Sequence, residues 1–249
     1  MNPGPVSPQQ DPPAASAPSD AADASERPAP TRKGPSWLLL VGVALVVMML
    51  VRGFLVQSFY VPSESMQPTI EPGDRILVNK LVSGEALQRG DIVVFDGTTT
   101  FAAGDRTPTE STGIIGRVVG GAATLVGIKL GEQDFDKRVI GLPGDHIVCC
   151  DAQGRLTVNG HPLDEPYLYP GDKASDLTFD IIVPKGRLWV MGDHRSDSSD
   201  SRAHLGDPGG GTVRFDDVIG RAFARYWPLS RLGGFETPSA LADVPRAAP

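Results

Sequence analysis

Hydrophobic and polar positions divide the chain into three stretches. Residues 1–36 are rich in Pro, Ala and Ser and carry no apolar periodicity. Such a stretch cannot bury enough surface to fold, which predicts a disordered tail. From Trp37 the chain reads WLLLVGVALVVMMLV without a charge, and Gly53 to Val56 continue it past the single Arg52. At ~1.5 Å rise per residue, about 20 apolar residues cross a hydrocarbon core, so 37–56 is predicted to be a single transmembrane helix with Arg52 snorkelling to the interface. A cleaved signal peptide has an apolar core of similar length, but no A-x-A site follows. Beyond 57 the pattern changes to short β-branched runs punctuated by Gly and Pro, at 75–79, 91–95, 138–140, 146–149, 156–158, 177–183, 187–191 and 218–226. This spacing predicts a mainly β, antiparallel domain. Asn159-Gly160 is a hairpin signal between two of the runs. Residues 97–133 break the pattern: a Thr/Gly/Asp-rich loop leads into a Gly-rich apolar segment interrupted by Arg117 and Lys129. A short helix and a hairpin both fit it; a second membrane span does not.

The expected organisation is therefore a tail (1–36), a membrane helix (37–56), one folded domain (57–232) with an insertion near 97–133 and a β subdomain near 150–183, and a flexible C-terminal tail (233–249). Charge orients it. Arg27, Arg32 and Lys33 precede the apolar run, whereas Arg52 alone follows it before Arg75. That bias favours a cytoplasmic N-terminus and an extracytoplasmic domain at the cell membrane. A formal net charge of -7 with no Lys/Arg stripe argues against a nucleic-acid partner. The only cysteines are the neighbours Cys149 and Cys150. Adjacent side chains of an extended strand point to opposite faces, so packed or free thiols are expected rather than a disulfide. Their spacing supports no metal site, and neither metal nor cofactor is expected.

Candidate chemistry begins directly after the apolar run. Prolines at 62 and 68 fix φ and bias the residues before them to extended geometry, so Ser65 is held on a stiff, presentable segment at a membrane surface. A serine hydroxyl needs a base, and lysine serves only when its pKa falls well below about 10.4, as burial brings about. Lys137 stands beside Phe135, Val139 and Ile140 in a strand-like run. On the residues alone it is either an interior base or a surface lysine next to Arg138.

Four segments in order, PSESMQPTI, GDIVVF, KRVIGLPGD and GDHRSDSSDSR, resemble the motif set of the bacterial type I signal peptidases. These are membrane-bound serine proteases that cut signal peptides from exported preproteins. The resemblance implies a catalytic domain of that type, working as a monomer without a cofactor on secretory preproteins at the lipid surface. It makes Ser65 the nucleophile, Lys137 the general base and the Ser63 hydroxyl an oxyanion donor. It has Ser198 bond the lysine amine, Asp200 and Arg202 support it as an ion pair, and Asp193 partner Arg138. Val61, Met66, Ile70 and Phe135 would line small pockets selecting A-x-A. His194 stands where that family usually has Asn. Three other readings are a Ser-Lys autoprotease like the SOS repressors, a triad using His146, His161, His194 or His204, and an anchored β domain that only binds a partner.

Overall fold

The computed structural model describes residues 36–50, 55–98, 100–101, 134–245 and 247. The tail before 36 and nearly all of the 97–133 insertion lie outside the described residues. Helix α1 (Ser36–Leu50) is 15 residues long and exposes its large apolar side chains from Trp37 to Met49. At ~1.5 Å per residue it reaches about 22 Å, short of the roughly 30 Å of a hydrocarbon core. No helix among the described residues is long and apolar enough to cross a membrane.

The expected helix over 37–56 needs correcting at its far end. Val56 already opens strand β1 (Val56–Tyr60), which runs antiparallel to β2 (Arg75–Asn79) from Val56 opposite Asn79 to Tyr60 opposite Arg75. Phe59 and Tyr60 are strong strand formers, and β2 supplies the ladder partners that a sequence pattern does not reveal.

Ten further strands follow: β3 (Ile92–Asp96), β4 (Asp134–Gly141), β5 (His146–Cys149), β6 (Leu156–Val158), β7 (His161–Pro162), β8 (Phe179–Ile182), β9 (Arg187–Met191), β10 (Val213–Arg214), β11 (Val218–Trp227) and β12 (Gly233–Gly234). The main sheet has the order β1-β2-β11-β3-β4-β9-β10, with β12 also on β11; a second sheet has the order β7-β6-β5-β8. Every described pairing is antiparallel. The second sheet opens at His146, ahead of the expected start at 150. Its β6–β7 turn places Asn159 (φ 54°) and Gly160 (φ 77°) in the left-handed region, as a two-residue type I′ hairpin requires.

Strand β9 joins the two halves of the core. Leu188 and Val190 pack with Val93, Phe95 and Val139 of the main sheet, while Trp189 and Met191 pack with Ile147, Leu156, Val158 and Phe179 of the second. With side chains alternating along a strand, both faces of β9 are thereby buried. A third cluster holds Val61, Met66, Ile70, Ile76, Val78, Ile92, Val94 and Ala222.

Two further expectations are corrected. Residues 233–245 pack rather than trail: β12 pairs with β11, and helix α2 (Ser239–Ala242) leads into Val244, with Leu241 and Val244 both buried. Arg89 donates to the carbonyls of Val244 at 2.8 Å and Pro245 at 3.2 Å. Phe235, Leu241 and Val244 are too few and too unevenly spaced to give a periodic signal, so pattern does not predict this docking. Cys149 and Cys150 form a disulfide. Strand β5 ends at Cys149, so the alternation that would separate the two side chains does not extend to Cys150.

Candidate active site

Ser65 sits on a compact turn that follows β1. Gln67 N–H donates to Glu64 C=O at 3.0 Å and Ile70 N–H to Met66 C=O at 2.9 Å. Met66 and Ile70 drop into the third cluster and pin the turn from beneath. From the other side His194 N–H donates to Ser65 C=O at 3.1 Å. Gly192 makes this approach feasible, because a Cβ there would overlap Ser65 O and Ser198 Oγ.

Lys137 reaches the same point from β4, where it pairs with Val93 of β3. Its Nζ lies 2.7 Å from Ser65 Oγ and 2.9 Å from Asp136 C=O, and the residue is 2% exposed. Ser63 Oγ is 3.2 Å from Ser65 Oγ. No carboxylate among the described residues forms an ion pair with Lys137. Burial therefore pushes its pKa down, against the upward pull of Asp136, Asp200 and Asp193 at longer range. Asp136 is buried too, and one of its carboxylate oxygens is enclosed without a hydrogen-bond partner. Burial raises its pKa, only partly offset by Lys137.

The flanking charges are paired. Arg138 grips Asp193 through two hydrogen bonds of 2.7 and 2.5 Å, donates to Gly90 C=O at 2.9 Å and lies over the Tyr167 ring. Burial alone would lower its pKa, but the Asp193 contact outweighs it and holds the guanidinium above its ordinary value. Asp200 accepts from Arg202 at 2.9 and 2.7 Å and from Gly192 N–H at 3.0 Å. Burial works to raise its carboxyl, and the Arg202 bonds overcome this and hold it below the usual range. A third buried pair, Arg195 with Glu165 at 2.5 Å, went unnoticed in the sequence because its members lie 30 residues apart with no local signature.

Several expected roles take a different form. The Ser198 hydroxyl is enclosed without a hydrogen-bond partner, so it does not bond Lys137; it lies against Gly192, and Asp136 C=O takes the place at the amine. Met66 and Ile70 have no exposed surface, so they support the serine turn rather than face solvent as pocket walls. Phe135 is half-buried in the other cluster, with its ring beside Phe95 and Phe101 at centroid distances of 5.9 and 5.4 Å. No described histidine ring bonds Ser65. His204 lies between Ser199 and Asp207, His146 meets Asp180, and the His194 ring stacks on Tyr169.

A serine held on a rigid turn beside a buried lysine is an arrangement open to a serine endopeptidase, and kinship makes the chain one. The chain belongs to the family described as signal peptidase, peptidase S26, whose profile matches residues 35–227. It is 38% identical to a probable signal peptidase I of Mycobacterium leprae, over 82% of this chain and 81% of that protein. It is 36% identical to signal peptidase I of Mycobacterium tuberculosis, over 84% and 78%. Signal peptidase IB of Staphylococcus aureus is 29% identical over 78% and 90%. The kinship is thus with the bacterial type I signal peptidases, hydrolases of signal-peptide processing.

Proposed function

We propose that this protein removes signal peptides from exported preproteins with Ser65 as nucleophile and Lys137 as general base, cutting after small residues at a membrane surface. The observation that carries the reading is the contact of 2.7 Å between Ser65 Oγ and a buried lysine without a carboxylate partner. Neutral Lys137 takes the hydroxyl proton as Ser65 Oγ attacks the scissile carbonyl carbon. The developing oxyanion accepts hydrogen bonds from Ser65 N–H and the Ser63 hydroxyl. The lysine proton then passes to the leaving amine, the C–N bond breaks, and an acyl-enzyme remains on Ser65. Water, deprotonated by the same amine, hydrolyses that ester and restores the hydroxyl.

Small side chains at the first and third positions before the cut follow from crowding around the serine turn. Val61 packs with Met66 and Ile70 beneath the serine turn, and the Phe135 ring stands 5.7 Å from Lys137 Nζ, so bulky apolar groups flank the reacting pair on both sides. Membrane association rests on two features. The apolar segment 37–56 leads straight into the domain, and Tyr60, Trp227, Leu229 and Leu232 are exposed at one end of the main sheet, where Tyr60 and Trp227 both pair with Arg75. Tyr and Trp favour the lipid–water interface. The basic residues ahead of the segment favour a cytoplasmic N-terminus.

The decisive experiment is cleavage of a purified preprotein by the full-length protein in detergent, with the product N-terminus sequenced. Wild type is expected to cut after A-x-A, and a folded Ser65→Ala protein to lose cleavage. Unchanged cleavage by Ser65→Ala overturns the assignment. A folded wild type that binds preproteins and never cuts them would favour a binding domain. Protease added to spheroplasts is expected to reach residues beyond 57 and to spare the tail.

A further inference from the structure

Beside the reacting pair, Glu64, His194 and Asp197 each offer one ligand atom, and the three atoms lie within 4.8 Å of one another. Glu64 belongs to the Ser65 turn; the other two belong to the loop after β9. No hydrogen bond or ion pair joins the three side chains, and among the described residues neither carboxylate meets a cation or a donor. Nδ1 of His194 is enclosed and has no hydrogen-bond partner, while the ring is held in place by stacking on Tyr169 at a centroid distance of 4.0 Å. A buried ring nitrogen without a partner calls for an explanation, and a bound ion is one that would also draw on the two carboxylates beside it.

We infer that Glu64, His194 and Asp197 form a site for a first-row transition-metal dication of the zinc type, bridging the Ser65 turn to the loop that follows β9. Imidazole nitrogen and carboxylate oxygen are both ligand types that Zn²⁺ takes, and three protein ligands leave a fourth position for water. The imidazole selects against Mg²⁺ and Ca²⁺, which take oxygen ligands almost exclusively. Tetrahedral ligand atoms at ~2.0–2.2 Å from one ion stand about 3.3–3.6 Å apart, so rotation of the two exposed carboxylates by about an ångström closes the site. The ion would stand one residue from Ser65 in sequence and tie together the two segments that hold it.

The test uses untagged full-length protein in detergent and follows Zn²⁺ by competition with a chromophoric chelator. One Zn²⁺ per chain is expected, with a rise in melting temperature that EDTA reverses. Affinity is expected to fall at least tenfold in Glu64→Gln, His194→Asn and Asp197→Asn, each checked for an unaltered metal-free melting temperature. Should His194→Asn fail to fold, the two isosteric carboxylate variants at exposed positions decide the matter. No stoichiometric Zn²⁺ binding, full affinity in both carboxylate variants, or equal displacement by Mg²⁺ overturns the site. These readouts involve no substrate, so they stand or fall apart from the proposed cleavage reaction.

Discussion

Neighbouring cations on β4 meet opposite fates. Lys137 and Arg138 are both almost fully buried, and their side chains leave opposite faces of one strand. Arg138 finds Asp193 in a two-point grip, and the pair holds its charge. Lys137 finds a serine hydroxyl and a backbone carbonyl, neither of which compensates an ammonium, so burial drives it towards the neutral amine. Burial thus leaves a paired structural cation on one face and, on the other, an uncompensated amine suited to the proposed base. What decides between them is whether a carboxylate stands within hydrogen-bond reach.

The sharpest way to break this contrast is to remove the proposed base. Lys137→Ala is expected to lose about 10⁴-fold in single-turnover preprotein cleavage, a loss typical of a missing member of such a unit. Lys137→Arg should not rescue it, because a guanidinium stays protonated; substantial turnover by that variant would sink the role. On the other face, Asp193→Ala strands a buried guanidinium and should cost about 3–5 kcal/mol, read as a lowered urea midpoint. Lys137→Met, by contrast, removes an uncompensated amine, so it should unfold no earlier than wild type while remaining inactive.

Titration sharpens the comparison further. Activity should rise with pH through the lowered Lys137 pKa, since only the neutral amine accepts a proton. Between that value and the ordinary lysine value the unfolded chain binds one more proton than the folded one, so this residue makes stability rise with pH across the same window. Replacing Asp136 with Asn removes a carboxylate that favours the ammonium, so the rising limb should move to lower pH wherever Asp136 is ionised in wild type. An upward shift would show that Asp136 acts on the lysine in some other way. The smallest effect is expected from Ser198→Ala, a few-fold loss of rate at an unaltered limb, because its hydroxyl does not bond the amine.

The eight β-branched runs and the Asn159-Gly160 turn were legible because their signals are local: alternation, propensity and left-handed φ. Ser65 and Lys137 were legible one at a time, through their prolines and apolar neighbours, although 72 residues separate them. Their meeting depends on β1 pairing with β2 and on the loop after β9 closing over the serine turn, and no local pattern encodes either. Long-range pairs were missed for the same reason, Arg195 with Glu165 and Arg89 with Asp145 among them. The enclosure of Met66 and Ile70, the aim of Ser198 and the docking of 233–245 are consequences of packing, which hydrophobicity permits without specifying.

Gly192 carries a consequence for how this protein can vary. Two oxygens crowd the place its side chain would occupy, one from the Ser65 peptide unit and one from Ser198. Every single-base change that replaces glycine adds at least a methyl group, so alanine is excluded along with the larger residues. In a saturation library selected for growth on secretion, this codon should tolerate only synonymous change. The exposed codons for Glu64 and Asp197, a few residues away, should drift freely unless metal occupancy is itself under selection.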